Sequence, residues 1–430
     1  MAGKLKGRLA RMRELGLVKA SSLGSGAGTA GAGKAAAEGS SGKRTAAANV
    51  RGEAPRPRPS FLDGWESAGD FVWSRIVRKR DLLPEFIDAS PFRRLSSGAA
   101  SVRGADAELG RVDSYRLRFF DFETTGLSGG TGTVAFLAAV ARRDGDCLAV
   151  RQLFLEDYPG ESAFLDALLG EFDEETVIVT YNGSSFDLPL LRTRCVMNGK
   201  KAPARPHIDA LFAARRLWKR VYGGASLGLL EREVLGVERE EDVPGSMIPG
   251  LFFSYLRSGD EPLMRAVMSH NAEDVASLAS LLSRADAAFA KPRAFSGSSS
   301  IDRAGLGRSL IAIGRQEEGE ELLEAALGDG DEASGLLLSA IYRRAGRDDD
   351  RRRLLGMLPD GFRPHLERAK FFERRDRNFM EALAWAKKAR RLAPTDDLAE
   401  ALERRIARLK RRAESDPRRA ASRRAGRRRP

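Results

Sequence analysis

Cysteine is scarce in this chain, with Cys147 and Cys195 the only two in 430 residues. Two thiols make neither a disulfide framework nor a zinc-ligand spacing, and they point to a reducing, cytoplasmic setting. No run of about 18 apolar residues occurs, so no membrane span is expected. The opening MAGKLKGRLARMRELGLVKASS lacks the apolar core of a secretory signal, although its basic, acid-poor composition is also that of an organelle transit peptide. The glycine-rich ETTGLSGGTG is followed by no Gly-Lys-Ser/Thr, which excludes a phosphate-binding P-loop. Histidine is rare too, at three residues.

The net charge of +13 is unevenly placed. Residues 1–58 hold 12 Lys/Arg against 3 acids, and residues 401–430 hold 13 against 3. The middle of the chain is therefore at −6, and the basic character belongs to the two ends. Such tails can tether a protein to nucleic acid through counterion release, or simply solubilise it. The run RRAASRRAGRRRP has no aromatic to stack on bases. An acidic body argues against a broad basic channel, so Arg192, Arg194, Arg215 and Arg216 are the local candidates for substrate contact.

Length and a hydrophobic content of 42% allow two or three cored domains. Residues 1–58, rich in Gly, Ala, Ser and basic residues, read as a disordered tail. Residues 59–111 read as an N-terminal extension, with Phe61, Trp65, Phe71, Val72 and Trp73 as core material and a loop at 95–105. From 112 to 290 the pattern is α/β. RLRFFDFE, TVAFLAAVAR and LAVRQLFLE read as strands, the last two joined by the hairpin signal RRDGD. A helix ESAFLDALLGEF, a strand TVIVTYN and further helices follow, which suggests a mixed sheet with helices on its faces. Residues 300–412 read as nearly all helix. Turn-like points at Gly314, Gly346 and Asp376 are spaced 32 and 30 residues apart. That is close to the period of about 34 residues in tetratricopeptide helix pairs, whose surfaces usually bind protein; a generic helical bundle is the alternative. Residues 413–430 read as a second basic tail.

Three short stretches carry the chemistry. In FFDFETTGL, Asp121 and Glu123 are two apart on a strand and share a face. Two acids at the end of a buried strand raise each other's pKa unless a cation lies between them, and a hard divalent ion resolves the conflict. A pair solvated at a rim is the plainer reading. In YNGSSFDLPLL, Asp187 falls in the first turn of a helix, where the helix dipole alone could explain it, yet it is surrounded by apolar residues. In HNAEDVASLASLL, His270 and Asp274 stand four apart on one helical face beside an apolar stripe.

In this order, the three stretches resemble the motifs of the DEDD superfamily of 3′–5′ exonucleases, which have a ribonuclease-H-like fold. The likeness covers about residues 112–285. HIDALFAARRLW, SLGLLEREVLG, DVPGSMIPGLFFSYL and HNAEDVASL narrow it to the YprB-type ribonuclease-H-like proteins, a bacterial group similar in carrying helical repeats after the nuclease-like domain. The resemblance implies an α/β, ribonuclease-H-like mixed sheet with flanking helices, followed by an all-α repeat region. It implies that Asp121, Glu123, Asp187 and Asp274 hold two Mg²⁺ or Mn²⁺ ions, that His270 is the general base, and that Thr124 and Asn182 touch the substrate. The histidine subclass of the superfamily places four residues between its His and Asp and the tyrosine subclass three. His270 stands at the three-residue spacing.

The expected function is hydrolysis of phosphodiester bonds from the 3′ end of single-stranded RNA or DNA. An internal mode of cleavage remains open, as does a non-catalytic, nucleic-acid-binding adaptor that works through its repeats and basic tails. A helical scaffold with an incidental α/β domain leaves the ordered acids unexplained.

Overall fold

The computed structural model describes residues 60–92, 110–126, 130–239, 243–259 and 261–415. Both basic tails, except the short stretch from 413 to 415, and the 95–105 loop lie outside them. The described residues fall into two compact units. One is drawn from Met1–Asp81, Tyr115–Arg205 and Val237–Ser277, the other from Leu82–Ser114, Pro206–Gly236 and Leu278–Pro430.

The first unit holds six strands of the main sheet: β1 (Glu66–Gly69), β2 (Val72–Arg80), β5 (Leu117–Thr124), β6 (Ala135–Asp144), β7 (Cys147–Leu155) and β8 (Val177–Thr180). Their order across the sheet is β1-β2-β7-β6-β5-β8. All neighbours run antiparallel except β5 and β8, so the sheet is mixed as expected. The β6–β7 hairpin closes on Gly145-Asp146, with Gly145 at φ +59° in the left-handed region that a tight hairpin turn requires.

The strand-like pattern in the sequence starts at 112, whereas the sheet also includes β1 and β2 before it. β2 pairs residue for residue with β7, from Val72 opposite Leu155 to Arg80 opposite Cys147. VWSRIVRKR has no regular apolar alternation and leaves Ile76 on an exposed face, so it carries too little apolar pattern to announce a strand. Phe71, expected in the core, sits instead in the β1–β2 turn at φ +58° and is exposed.

Aromatic packing holds this unit together. Phe154 on β7 is fully buried, with ring centroids of Phe61, Trp65, Tyr255 and Phe252 at 5.6, 6.3, 6.1 and 6.4 Å. Helix α1 (Glu161–Leu169) packs on β1, β2 and β7, and α2 (Asp187–Met197) follows β8.

In the second unit, β3 (Phe86–Asp88) pairs antiparallel with β4 (Arg111–Asp113). The short strand β9 (His207–Asp209) leads into α3 (Ala210–Leu217), α4 (Lys219–Tyr222) and α5 (Leu227–Leu230). Back in the first unit, α6 (Ile248–Ser258) stacks Phe252 on Phe136 at 4.0 Å and ends at Gly259, which has φ +66°. Helix α7 (Glu261–Ala290) begins in the first unit and ends in the second.

The C-terminal region is helical, as expected. Helices α8 (Arg303–Ala312) and α9 (Gln316–Gly328), α10 (Glu332–Ala345) and α11 (Asp348–Met357), and α12 (Phe362–Arg374) and α13 (Phe379–Arg391) form successive pairs, followed by α14 (Asp396–Glu414). Gly314, Gly346 and Asp376 each fall in the turn inside a pair. At the α8–α9 crossing, a Cβ on Gly307 would lie 2.9 Å from the Gly319 carbonyl oxygen, so only glycine allows that approach. Among the described residues, no helix is long and apolar enough to cross a membrane.

Truncating the ring at the centre of the first unit removes four aromatic neighbours at once. Phe154→Ala is expected to lower stability by about 3–5 kcal/mol, read as a shift of the urea unfolding midpoint followed by tryptophan fluorescence. A loss below about 1 kcal/mol would contradict this account of the core.

Candidate active site

Strand β5 runs through the middle of the sheet and brings Asp121 and Glu123 to the same face. Glu123 is buried, and Asp121 keeps a partial opening to solvent. β8 lies parallel beside β5, with Phe119 opposite Val179, and its chain turns sharply at the end. Asn182 takes φ +67°, and the Gly183 amide donates to Thr180 Oγ1 at 3.1 Å. A Cβ at Gly183 would meet the Thr180 side chain at 2.4–2.7 Å. This tight turn delivers Asp187, buried, as the first residue of α2.

Helix α7 supplies the rest. One helical turn separates His270 from Asp274, with Nε2 at 3.5 Å from Asp274 Oδ2 and 3.9 Å from Glu123 Oε1. The three-residue spacing therefore does place this histidine on the acids. The burial of Asp121 raises its pKa well above the usual carboxylate range, helped by the negative charges of Asp274, Asp187 and Glu123. Burial likewise raises that of Glu123, with Asp274 and Asp187 adding to it and Arg239 opposing. The structure thus brings together all four predicted acids and the histidine.

Three further residues were not singled out in the sequence. Asn271 is fully buried and donates from Nδ2 to Asp121 Oδ2 at 2.9 Å. Its Oδ1 accepts from Gln152 Nε2 at 3.0 Å, and the same nitrogen donates to the Met268 carbonyl at 2.8 Å. Gln152 Oε1 in turn accepts from Arg75 at 2.7 and 2.9 Å. Arg75, Gln152, Ala139 and Asp121 form one row across β2, β7, β6 and β5. Ala139 is the short member of the row, and Asn271 spans the space above it. The available signal was a glutamine in an otherwise apolar strand and an amide beside the histidine.

The third is Arg239. Its Nη2 donates to Asp274 Oδ1 at 2.5 Å, and its Nη1 lies 2.9 Å from His270 Nδ1. A guanidinium only donates, so Nδ1 is the acceptor and a neutral His270 carries its proton on Nε2, facing Glu123 and Asp274.

Two predicted contacts have structural employment. Thr124 Oγ1 donates to the Gly126 carbonyl at 2.7 Å and closes the turn after β5, while Asn182 stays exposed. Arg194, a candidate for substrate contact, is instead buried, forked onto Glu161 and bonded to the Thr131 carbonyl. Arg192 remains exposed.

The donor set, four carboxylates held near one another in a partly dry site, has the hard oxygen chemistry of Mg²⁺ or Mn²⁺. Among the described residues, no three acidic, histidine or cysteine side chains are gathered tightly enough to enclose an ion as they stand. Asp274 is turned to Arg239 instead.

Neutralising one of the crowded acids should stabilise the metal-free protein. In EDTA, Asp121→Asn keeps an acceptor for Asn271 and removes one charge. It is expected to raise the thermal midpoint by about 2–6 °C in calorimetry at pH 7.5. A lowered midpoint would show that the acids do not repel one another there.

A family model of the ribonuclease H superfamily matches residues 118–285. The family B DNA polymerase of the hyperthermophilic archaeon Pyrobaculum calidifontis aligns with 51% of this chain and 30% of its own, at 21% identity and a TM-score of 0.31, a likeness too slight to bear on the fold. The uncharacterised protein YprB of Bacillus subtilis (strain 168) is 35% identical over 320 residues, which cover 69% of this chain and 74% of that protein. With its central domain in the ribonuclease H superfamily, the chain belongs to the YprB family.

Proposed function

We propose that this chain is a metal-dependent nuclease of the DEDD type, removing nucleotides from the 3′ end of single-stranded RNA or DNA. The observation that carries the reading is the set of Asp121, Glu123, Asp187 and Asp274 with His270 on one side of the sheet. Burial and mutual repulsion there leave the acids in want of a divalent cation.

Asp121, Glu123, Asp187 and Asp274 would hold two Mg²⁺ or Mn²⁺ ions. When bound, such ions supply an activated water and stabilise the leaving oxygen. Asn271 fixes the rotamer of Asp121, and the buried Gln152 fixes Asn271. His270 takes the proton of the attacking water. Release of the Arg239 contact lets the ring proton pass to Nδ1, so that Nε2, on the acid side, becomes the acceptor. Asn182, exposed at the β8 turn, would touch the terminal nucleotide, and the Thr124 hydroxyl shapes the turn after β5. We read the helical pairs as tetratricopeptide-like and as a surface for a protein partner, in a cytoplasmic protein.

One observation favours the adaptor reading: Arg239 already neutralises Asp274, which a chain with no metal would need. Cleavage separates the two. Single-stranded RNA and DNA labelled at the 5′ or 3′ end are incubated with Mn²⁺, Mg²⁺ or EDTA. A metal-dependent ladder shortening from the 3′ end is expected, reduced at least about a hundredfold in Asp187→Asn. No cleavage with any metal by the folded chain would leave the adaptor. Full activity in Asp187→Asn would overturn the site.

A further inference from the structure

On the other flank of α7 a pocket of about 310 Å³ opens beside β2. Strand alternation points Arg75, Val77 and Lys79 into it, and one helical turn brings Arg265 and Ser269 with Met268. Around the axis of α7, residues 265, 268, 269 and 272 cluster on the side opposite 270 and 274, by the 100° step per residue. The pocket is therefore separate from the acids, although both belong to the same unit.

Its chemistry is that of an anion site with an apolar wall. Among the described residues that line it, three are cations and none is an acid; Glu273 pairs with Lys79 from outside the lining. Arg75 is held in place. Gln152 accepts from its Nε and Nη2, and the Trp65 ring lies beneath its guanidinium at 4.7 Å. Its Nη1 makes no hydrogen bond among the described residues. Burial pushes the Arg75 pKa down, and the neighbouring Arg265 charge adds to this, so an anion beside Arg75 would offset that repulsion. A guanidinium fixed through its Nε–Nη2 edge, with Nη1 left to other acceptors beside a second arginine and a lysine, suits a phosphate group. Val77 and Met268 offer apolar contact to a flat ring, and the volume is that of a small ligand site.

We propose that this pocket binds a phosphate monoester of nucleotide size, with Arg75, Lys79 and Arg265 on the phosphate and Val77 and Met268 against the base. The proposal is independent of the nuclease reading. Titration calorimetry of the full chain in EDTA tests it, because metal-free acids repel a nucleotide from the other site. AMP and UMP are the probes and adenosine the control. At least one nucleotide is expected to bind one per chain and at least about tenfold tighter than adenosine. Arg265→Ser, which removes a charge, and Val77→Phe, which fills the space, should each weaken it by about tenfold or more. Circular dichroism checks that each variant is folded, and Val77→Phe carries the test alone if Arg265→Ser is not. The proposal is overturned if neither nucleotide binds, if adenosine binds as well, or if the folded variants bind undiminished.

Discussion

The hydrogen bond from Asn271 to Asp121 ties helix α7 to strand β5, and the geometry of the acid cluster follows from that tie. An amide at this point has both a donor and an acceptor to satisfy. The donor goes to the carboxylate and the acceptor to Gln152, itself anchored to the Met268 carbonyl and to Arg75. Each of the two amides is wholly buried, so a shift of α7 along the sheet would strand polar atoms at a cost of about 1–3 kcal/mol apiece. The register of α7 is thereby fixed, and with it the positions of His270 and Asp274. Packing alone is less selective, because the apolar face of a helix can slide over apolar strands with little change in buried area.

This explains how the fold tolerates so many acids in so small a space. The sheet is held by one aromatic cluster, in which Phe136 stacks on Phe252 and Phe252 is in turn one of the four neighbours of Phe154. Those contacts stabilise the unit without involving the acids. The unfavourable charge cluster is then held open by a rigid frame, which is the usual relation between a functional site and the structure that supports it.

Much of this was legible in the residues, and the limits have physical causes. FFDFE, with its buried run ending in alternate acids, fixed the face of β5, and the H-x-x-x-D spacing fixed the face of α7, because both rest on local periodicity. The hairpin at RRDGD was legible for the same reason. β2 was not, since a half-exposed strand that ends in three consecutive basic residues gains its identity only from β7, more than sixty residues later. Gln152, Asn271 and Arg239 were not either. Each acts through a partner distant in sequence: a glutamine in LAVRQLFLE and an amide beside the histidine are faint signals, and nothing in GVERE sets Arg239 apart from an ordinary polar residue. Arg194 erred in the opposite sense: an arginine near a helix end looks available until Glu161 is seen to receive it.

Arg239 gives the site a second charge state. Its guanidinium covers Asp274 and takes the Nδ1 lone pair of His270 in one bidentate gesture. A side chain of this kind lowers the repulsion among the acids when no metal is present, and a divalent ion on Asp274 would repel it. Cation and arginine are thus alternatives at the same carboxylate, and the second contact ties that exchange to the histidine. If Arg239 left, Asp274 would lose its guanidinium partner and His270 Nδ1 its donor in the same movement. On the proposed nuclease reading, the metal ligand on α7 and the base would thus be released together by one residue that belongs to neither motif.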